Sequence, residues 1–242
     1  MAIQALADGR VLAERIGGSP ARVVALHGWG RTGTDFTEIL AGLDALAIHL
    51  PGFGPTAAPD TVWGTEDYAR VVADAIEPIG PVVLVGHSFG GRIAVRLAAS
   101  RPELVSALVL TGAPLVRMSP TAKPSLSYRI VKALRRLGVV PDAVLESRRK
   151  KLGSADYNAA QGILRDILVK TVNENYDADL ARISTPAWLV WGEHDTAAPT
   201  AAGKIASERI CGARWIVVPN EAHLLTPTLG VAVRAAVEQA LA

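Results

Sequence analysis

The chain has 242 residues, half of them hydrophobic, with 25 Lys and Arg set against 23 Asp and Glu. That length is enough to bury roughly 70% of the unfolded surface in a single core without covalent staples. The formal charge of +2 gives no reason to expect nucleic acid or an anionic membrane as a partner, and no apolar run reaches the roughly 18 residues that span a bilayer. The lone cysteine, Cys211, cannot close an intramolecular disulfide, and no basic segment leading into a long apolar one opens the sequence, so a reducing, cytoplasmic setting is expected. No internal repeat or low-complexity tract is present.

Ile3 to Ala7 and Arg10 to Ile16 flank Asp8-Gly9, two residues that tolerate positive φ, and this pattern predicts a β-hairpin. Arg22 to Leu26 reads as a short strand buried on both faces that delivers His27-Gly28-Trp29-Gly30 at its end. Thr34 to Leu40 reads as a short helix and Ala45 to Leu50 as a strand closed by Pro51-Gly52-Phe53-Gly54-Pro55. Thr65 is the expected N-cap of a helix whose apolar stripe, Val71, Val72, Ala75 and Ile76, runs to Pro78. Val82 to Val85 is the next strand, a helix from Gly91 to Ala99 follows, and Val105 to Thr111 is a further strand.

The rhythm then changes. From Leu115 to Arg182 nothing reads as a strand, so residues 115–182 are expected to form a helical cap inserted into one α/β core made of 1–114 and 183–242. Leu126, Ile130, Leu134 and Leu137 share one helical face, Pro141 can open a second helix, and Ser154 can cap a third that buries Ala160, Ile163, Leu164, Ile167, Leu168 and Val172. Gly162 costs that third helix about 1 kcal/mol relative to alanine. Alternation resumes with strands at Ala187 to Trp191 and Trp215 to Val218 and helices at Thr200 to Ile210 and Thr228 to Ala242.

The chemistry centres on Gly86-His87-Ser88-Phe89-Gly90-Gly91, which lies where a strand turns sharply into a helix. Such a turn holds the serine in a strained conformation with its hydroxyl exposed, and the glycines allow close backbone approach. A serine hydroxyl is nearly un-ionised at neutral pH, so a nucleophilic Ser88 needs a general base and a third group to orient that base. His223, in the loop after the last strand, is the candidate base, and Asp195, after the Ala187 to Trp191 strand, is the candidate acid. Glu221 competes with Asp195 by proximity to His223, whereas Glu193 and His194 are expected to shape the turn. His27, His49 and His87 lie at strand ends, where a structural role is the plainer expectation. The backbone N–H groups of Trp29 and Phe89 are the expected oxyanion donors, each worth about 3 to 4 kcal/mol in a transition state. Gly28, Trp29 and Phe89 then border the substrate; the Trp29 side chain is either a pocket wall or core packing.

Together these motifs resemble the α/β-hydrolase fold superfamily, specifically an esterase-like serine hydrolase with a helical cap. The oxyanion loop matches His27-Gly-Trp-Gly30, the sheet-turn signature Leu50-Pro-Gly-Phe-Gly54, the elbow Gly86 to Gly91, and the acid and histidine positions fall on Asp195 and His223. The resemblance implies a mostly parallel central sheet flanked by helices and hydrolysis of small or medium acyl esters through an acyl-enzyme. Two departures concern one loop: His49 stands where relatives commonly carry an aspartate, and Pro55-Thr56 replaces a small-residue pair. Relatives that open epoxides or displace halide carry aspartate in place of Ser88, which disfavours those activities.

The cap sequence holds thirteen Lys or Arg and seven Asp or Glu, including Arg148-Arg149-Lys150-Lys151. A solvated helix face is the plain reading. Docking of an acidic acyl carrier protein is the sharper one, because the methyl-ester hydrolases of carrier-bound pimeloyl chains resemble this chain in His-Gly-Trp-Gly and Leu-Pro-Gly-Phe-Gly. The same triad also serves carbon–carbon bond hydrolases of ring-cleavage products and perhydrolases, and a hydrolase-like ligand receptor is the non-enzyme alternative. No paired histidine spacing marks a metal site, and no Gly-x-Gly-x-x-Gly opening a helix marks a dinucleotide, so no metal or cofactor is expected.

Overall fold

The computed structural model describes residues 2–118 and 155–242. Its eight strands are β1 (Ala2–Leu6), β2 (Val11–Ile16), β3 (Val23–Leu26), β4 (Ala45–His49), β5 (Val82–His87), β6 (Val105–Thr111), β7 (Ala187–Gly192) and β8 (Arg214–Val218). They form one sheet in the order β1-β2-β4-β3-β5-β6-β7-β8. The hairpin strand β2 runs antiparallel to both β1 and β4, and every other pairing is parallel.

β3, β4 and β5 are buried at every position, as expected for β-branched and aliphatic runs covered on both faces. Alternate residues divide between two cores. Val24, Leu26, Leu84 and Leu108 pack under α1 (Thr65–Ile76) and α2 (Phe89–Ser100). Val23, Ala25, Val85 and Val109 pack instead with the last helix, α7 (Pro227–Leu241), through Leu229, Val233 and Val237. All six parallel strands therefore end along one edge, and that edge carries the loops holding His27, Leu50, Ser88, Gly112, Asp195 and His223.

Between β6 and β7 the described residues form α3 (Ala155–Ala159), α4 (Gly162–Thr171) and α5 (Asp177–Arg182), and α6 (Thr200–Arg209) follows β7. The expected helices around Leu126 to Leu137 and after Pro141, and the Arg148 to Lys151 run, lie outside the described residues.

Four local expectations shift. Residues 155–172, expected as one helix capped by Ser154, which lies outside the described residues, are divided between two helices, because Gln161 is extended and Gly162 takes φ +52°, a region that favours glycine. Thr65 is the first helical residue, not the N-cap. Gly64 occupies that position, its N–H donating to the Asp67 carboxylate at 2.8 Å, while the buried Thr65 hydroxyl is taken by Glu174 and Tyr176, which lie between α4 and α5. The Thr34 to Leu40 segment is a single 3₁₀ turn, Gly33–Phe36, followed by turns that seat Phe36 and Leu40 in the core. The hairpin turn includes Ala7 at φ +50° in addition to Asp8 and Gly9.

The elbow leaves no room for side chains at its glycines. A Cβ on Gly90 would lie 2.1 Å from the Leu26 carbonyl oxygen, and one on Gly86 would lie 2.6 Å from the Gly91 Cα. Both obstacles are backbone, so relief requires moving α2 off the sheet. Gly90→Ala is expected to lower stability by about 3 kcal/mol or prevent folding, measured by urea denaturation against wild type; a loss near zero contradicts this packing.

Candidate active site

Ser88 sits between β5 and α2 at φ +51° and ψ −110°, a conformation that costs a non-glycine residue about 1 to 3 kcal/mol. The turn is held by main-chain bonds from Ser88 N–H to the Thr111 carbonyl at 3.0 Å and from Gly90 N–H to the His27 carbonyl at 3.0 Å. The hydroxyl thus stands at the strand edge, half-buried.

His223 reaches it from the loop after β8. Its Nε2 lies 3.0 Å from Ser88 Oγ, and its Nδ1 lies 2.8 Å from Asp195 Oδ2. Because a carboxylate only accepts, Nδ1 carries the proton and Nε2 offers a lone pair to the serine hydroxyl. Asp195 is buried, and its other oxygen accepts the N–H groups of Ala197 at 2.9 Å and Ala198 at 2.8 Å, which fixes the carboxylate plane. Gly112, at φ +56°, lies beneath this pair: a Cβ there would be 3.1 Å from His223 Nδ1 and 3.3 Å from Asp195 Oδ2.

The competing acid is engaged elsewhere. Glu221 accepts from the hydroxyl of Thr226, the residue whose Oγ1 caps α7 by accepting from Leu229 N–H at 3.2 Å. Glu193 accepts from Asn220 N–H at 3.0 Å, and the exposed His194 donates its main-chain N–H to the Glu221 carbonyl at 2.7 Å; both shape the turn.

Trp29 and Phe89 stand where oxyanion donors are expected. Phe89 is the first residue of α2, and among the described residues no group accepts the N–H of either Trp29 or Phe89. Gly28 brings the loop close, for a Cβ there would be 3.4 Å from the Ser88 Cβ. The Trp29 ring meets Phe53 at 5.0 Å and Phe89 at 5.1 Å, and also lines a cavity of about 330 Å³ with Phe53, Ala159, Ala160 and Leu164. It is therefore both pocket wall and packing element. The sequence read Ala160 and Leu164 only as the buried side of a helix; that they wall a cavity depends on contact with the Phe53 loop, which no local pattern encodes.

The remaining histidines are tied into the frame. His27 Nδ1 donates to the Gly28 carbonyl at 2.7 Å and its Nε2 accepts Leu50 N–H at 3.0 Å, joining two strand ends. His49 accepts Gly33 N–H at 3.2 Å and faces Glu14 of β2 at 3.2 Å. Thr56, in the other departure from the resembling family, is buried and accepts Leu12 N–H at 3.1 Å. The altered loop is thus pinned to the antiparallel edge.

The sequence from 23 to 235 matches the model of the alpha/beta hydrolase family. The chain belongs to that family. Among its members, an esterase of Mycobacterium tuberculosis is 36% identical over 113 residues, 45% of this chain and 38% of the esterase. The chain thus spans well under half the length of this relative, and 36% of a lipase from the same organism. A 2-hydroxy-6-oxononadienedioate/2-hydroxy-6-oxononatrienedioate hydrolase of Burkholderia vietnamiensis is 30% identical over 215 residues, 75% of this chain and 73% of that one. A pimeloyl-(acyl-carrier protein) methyl ester esterase of Neisseria meningitidis is 28% identical over 230 residues, 84% and 85% of the two chains. The solved esterase of Exiguobacterium antarcticum shares the fold, with a TM-score of 0.73 at 20% identity over 99% of both chains. Among the described residues of this family member, no helix is long and apolar enough to cross a membrane.

Burial lowers the pKa of His27 from the ordinary 6.5 to about 4, its bond to Gly28 opposing the shift, and burial with nearby His223 lowers His87 likewise to about 4. Unfolding restores a value near 6.5, so between about pH 6.5 and 4 the unfolded chain binds more protons than the folded one. The stabilisation from keeping both rings neutral is full above pH 6.5 and is lost as pH falls through this window, on the order of 3 kcal/mol per ring. Urea midpoints are expected to fall steadily from pH 6.5 to 5, above most carboxylate titration; a flat profile contradicts the burial of these rings as neutral groups.

Proposed function

We propose that the protein is a serine hydrolase that cleaves carboxylic esters of small or medium acyl groups. The observation that carries this reading is the pair of hydrogen bonds joining Ser88 Oγ to His223 Nε2 and His223 Nδ1 to Asp195. Ser88 Oγ attacks the ester carbonyl carbon while its proton passes to His223 Nε2, and Asp195 holds the resulting imidazolium. The carbonyl oxygen becomes negative and is met by the N–H groups of Trp29 and Phe89. Collapse breaks the bond to the alcohol oxygen, which takes the proton from His223 and departs. Water, deprotonated by the same imidazole, attacks the acyl-enzyme, and the acid leaves with Ser88 restored.

In this reading residues 1–114 and 183–242 supply the catalytic core and 115–182 the cap that selects the acyl group. The cavity beside Trp29 supports a mainly apolar acyl chain, since Phe53, Ala159, Ala160 and Leu164 line it, with Asp156 and Gln161 as its polar edge. The lone cysteine fits a cytoplasmic location. A second reading draws support from the Burkholderia relative: the same triad acting on a carbon–carbon bond next to a ketone. The Neisseria relative supports a carrier-bound methyl ester as a special case of the first.

Wild type is expected to hydrolyse p-nitrophenyl butyrate and to be labelled at Ser88 by a fluorophosphonate. Ser88→Ala abolishes labelling, and Ser88→Ala, His223→Ala and Asp195→Asn each lower kcat by about 10⁴-fold or more without loss of fold. Equal labelling of Ser88→Ala, or none of wild type, refutes the proposal. Turnover of a vinylogous ring-cleavage diketone well above that of every ester moves the assignment to carbon–carbon hydrolysis.

A further inference from the structure

The ring of His87, immediately before Ser88, takes no part in the steps above, yet it lies against both the His223 loop and the Gly28 loop. It is the last residue of β5 and 2% exposed. Its Nε2 lies 2.9 Å from the main-chain carbonyl oxygen of His223, 136 residues later in the chain. A carbonyl only accepts, so Nε2 carries the hydrogen and Nδ1 is bare. Nδ1 is buried without a hydrogen-bond partner and faces the oxyanion loop, where a Cβ on Gly28 would be 2.9 Å away. The His87 and His223 rings lie 5.2 Å apart.

The bond to His87 is the one main-chain hydrogen bond of His223 among the described residues; the neighbouring bonds fix Glu221 and Thr226 instead. Asp195 and Ser88 meet the imidazole at its two nitrogens, but contacts at the ring alone do not fix the Cα, whose movement would carry Nε2 away from Ser88. The main-chain bond removes that freedom.

We infer that His87 is a positioning residue: by donating from Nε2 to the His223 carbonyl, it ties the loop of the general base to the strand of the nucleophile and sets the Ser88–His223 distance. This rests on the Ser88–His223 reading above. The position demands a flat side chain that fills the space under Gly28, donates one hydrogen bond from the ε position and carries no charge, since a second ring proton would meet no acceptor at Nδ1. Glutamine places an amide nitrogen near the ε position. Asparagine is too short to reach it, and phenylalanine fills the space with no donor.

Steady-state kinetics on p-nitrophenyl butyrate with His87→Gln, His87→Asn and His87→Phe test the assignment. Displacing a reacting group by about 1 Å costs on the order of 10²-fold, so kcat is expected to fall about 10- to 100-fold in His87→Asn and His87→Phe with KM within about twofold. Fluorophosphonate labelling of Ser88 slows in parallel, and His87→Gln recovers kcat to within about threefold of wild type. A purely structural role lowers the melting temperature and leaves kcat per folded molecule unchanged. Folded His87→Asn or His87→Phe with wild-type kcat, or His87→Gln as impaired as His87→Phe, overturns the inference. Nitrogen-15 shifts of wild-type His87 at pH 7 need no variant: a bare Nδ1 with protonated Nε2 is expected, and protonated Nδ1 overturns it. Wild type that neither turns over ester nor labels refutes the triad reading instead, whatever the state of His87.

Discussion

The chain reverses direction between β5 and α2 within one residue, and the site depends on that reversal. Ser88 at φ +51° is strained by a few kilocalories at most, far less than the burial energy of the strands around it, so the surroundings dictate its shape. Val82 to Val85 are almost wholly excluded from solvent, with β3 on one side and β6 on the other, and Ser88 N–H is held by Thr111 of β6. Two outcomes follow from the same geometry. The hydroxyl is lifted clear of the sheet, and a helix begins at once behind it with Phe89, whose N–H meets no acceptor among the described residues. A less abrupt turn would separate nucleophile from donor.

Hydrogen bonding then distributes roles among chemically equivalent groups. Asp195 and Glu221 are both carboxylates near His223. Asp195 has one oxygen saturated by the N–H groups of Ala197 and Ala198, leaving the other aimed at His223 Nδ1. Glu221 is drawn toward Thr226 and the start of α7, which sets the path of the loop without touching the imidazole. The histidines divide similarly. His27 has both ring nitrogens occupied by main-chain groups and serves to join the ends of β3 and β4, whereas only His223 has an Nε2 directed at a hydroxyl.

What the sequence revealed is what neighbouring residues encode. The Gly86 to Gly91 elbow, the strand ends and the order Ser88, Asp195, His223 are legible because a parallel sheet collects the ends of its strands along one edge. What it concealed depends on partners distant in the chain. Thr65 reads as a helix cap from its neighbours, but Glu174, 109 residues later, claims its hydroxyl, and Gly64 with Asp67 takes over the capping. Gly162 reads as a weak point inside a helix; at φ +52° it is the start of a new one, aligning Leu164 to pack on Gly52. His87 reads only as a structural residue at a strand end because its partner carbonyl belongs to His223.

The helix that begins next to Ser88 also holds α4 and α5. Arg92 of α2 donates to the carbonyls of Pro114, where the chain leaves the core, and Thr171, at the end of α4, each at 3.2 Å. One turn further, Arg96 pairs with buried Asp179 and donates to the Asn175 carbonyl, while stacking over Tyr176 at 4.7 Å. Such partly buried pairs add little net stability, because desolvation offsets attraction, but removing one partner strands a charge at a cost of about 3 to 5 kcal/mol. Their effect is therefore geometric: the return segment has one favourable seat on α2. Since α4 carries Leu164 into the cavity beside Trp29, that wall of the cavity is referenced to the same helix whose first residue lies next to Ser88. Residues that line the cavity from α3 and α4 can vary in size while the arginine contacts and the elbow keep their places, so the shape of the cavity is set apart from the Ser88–His223–Asp195 geometry.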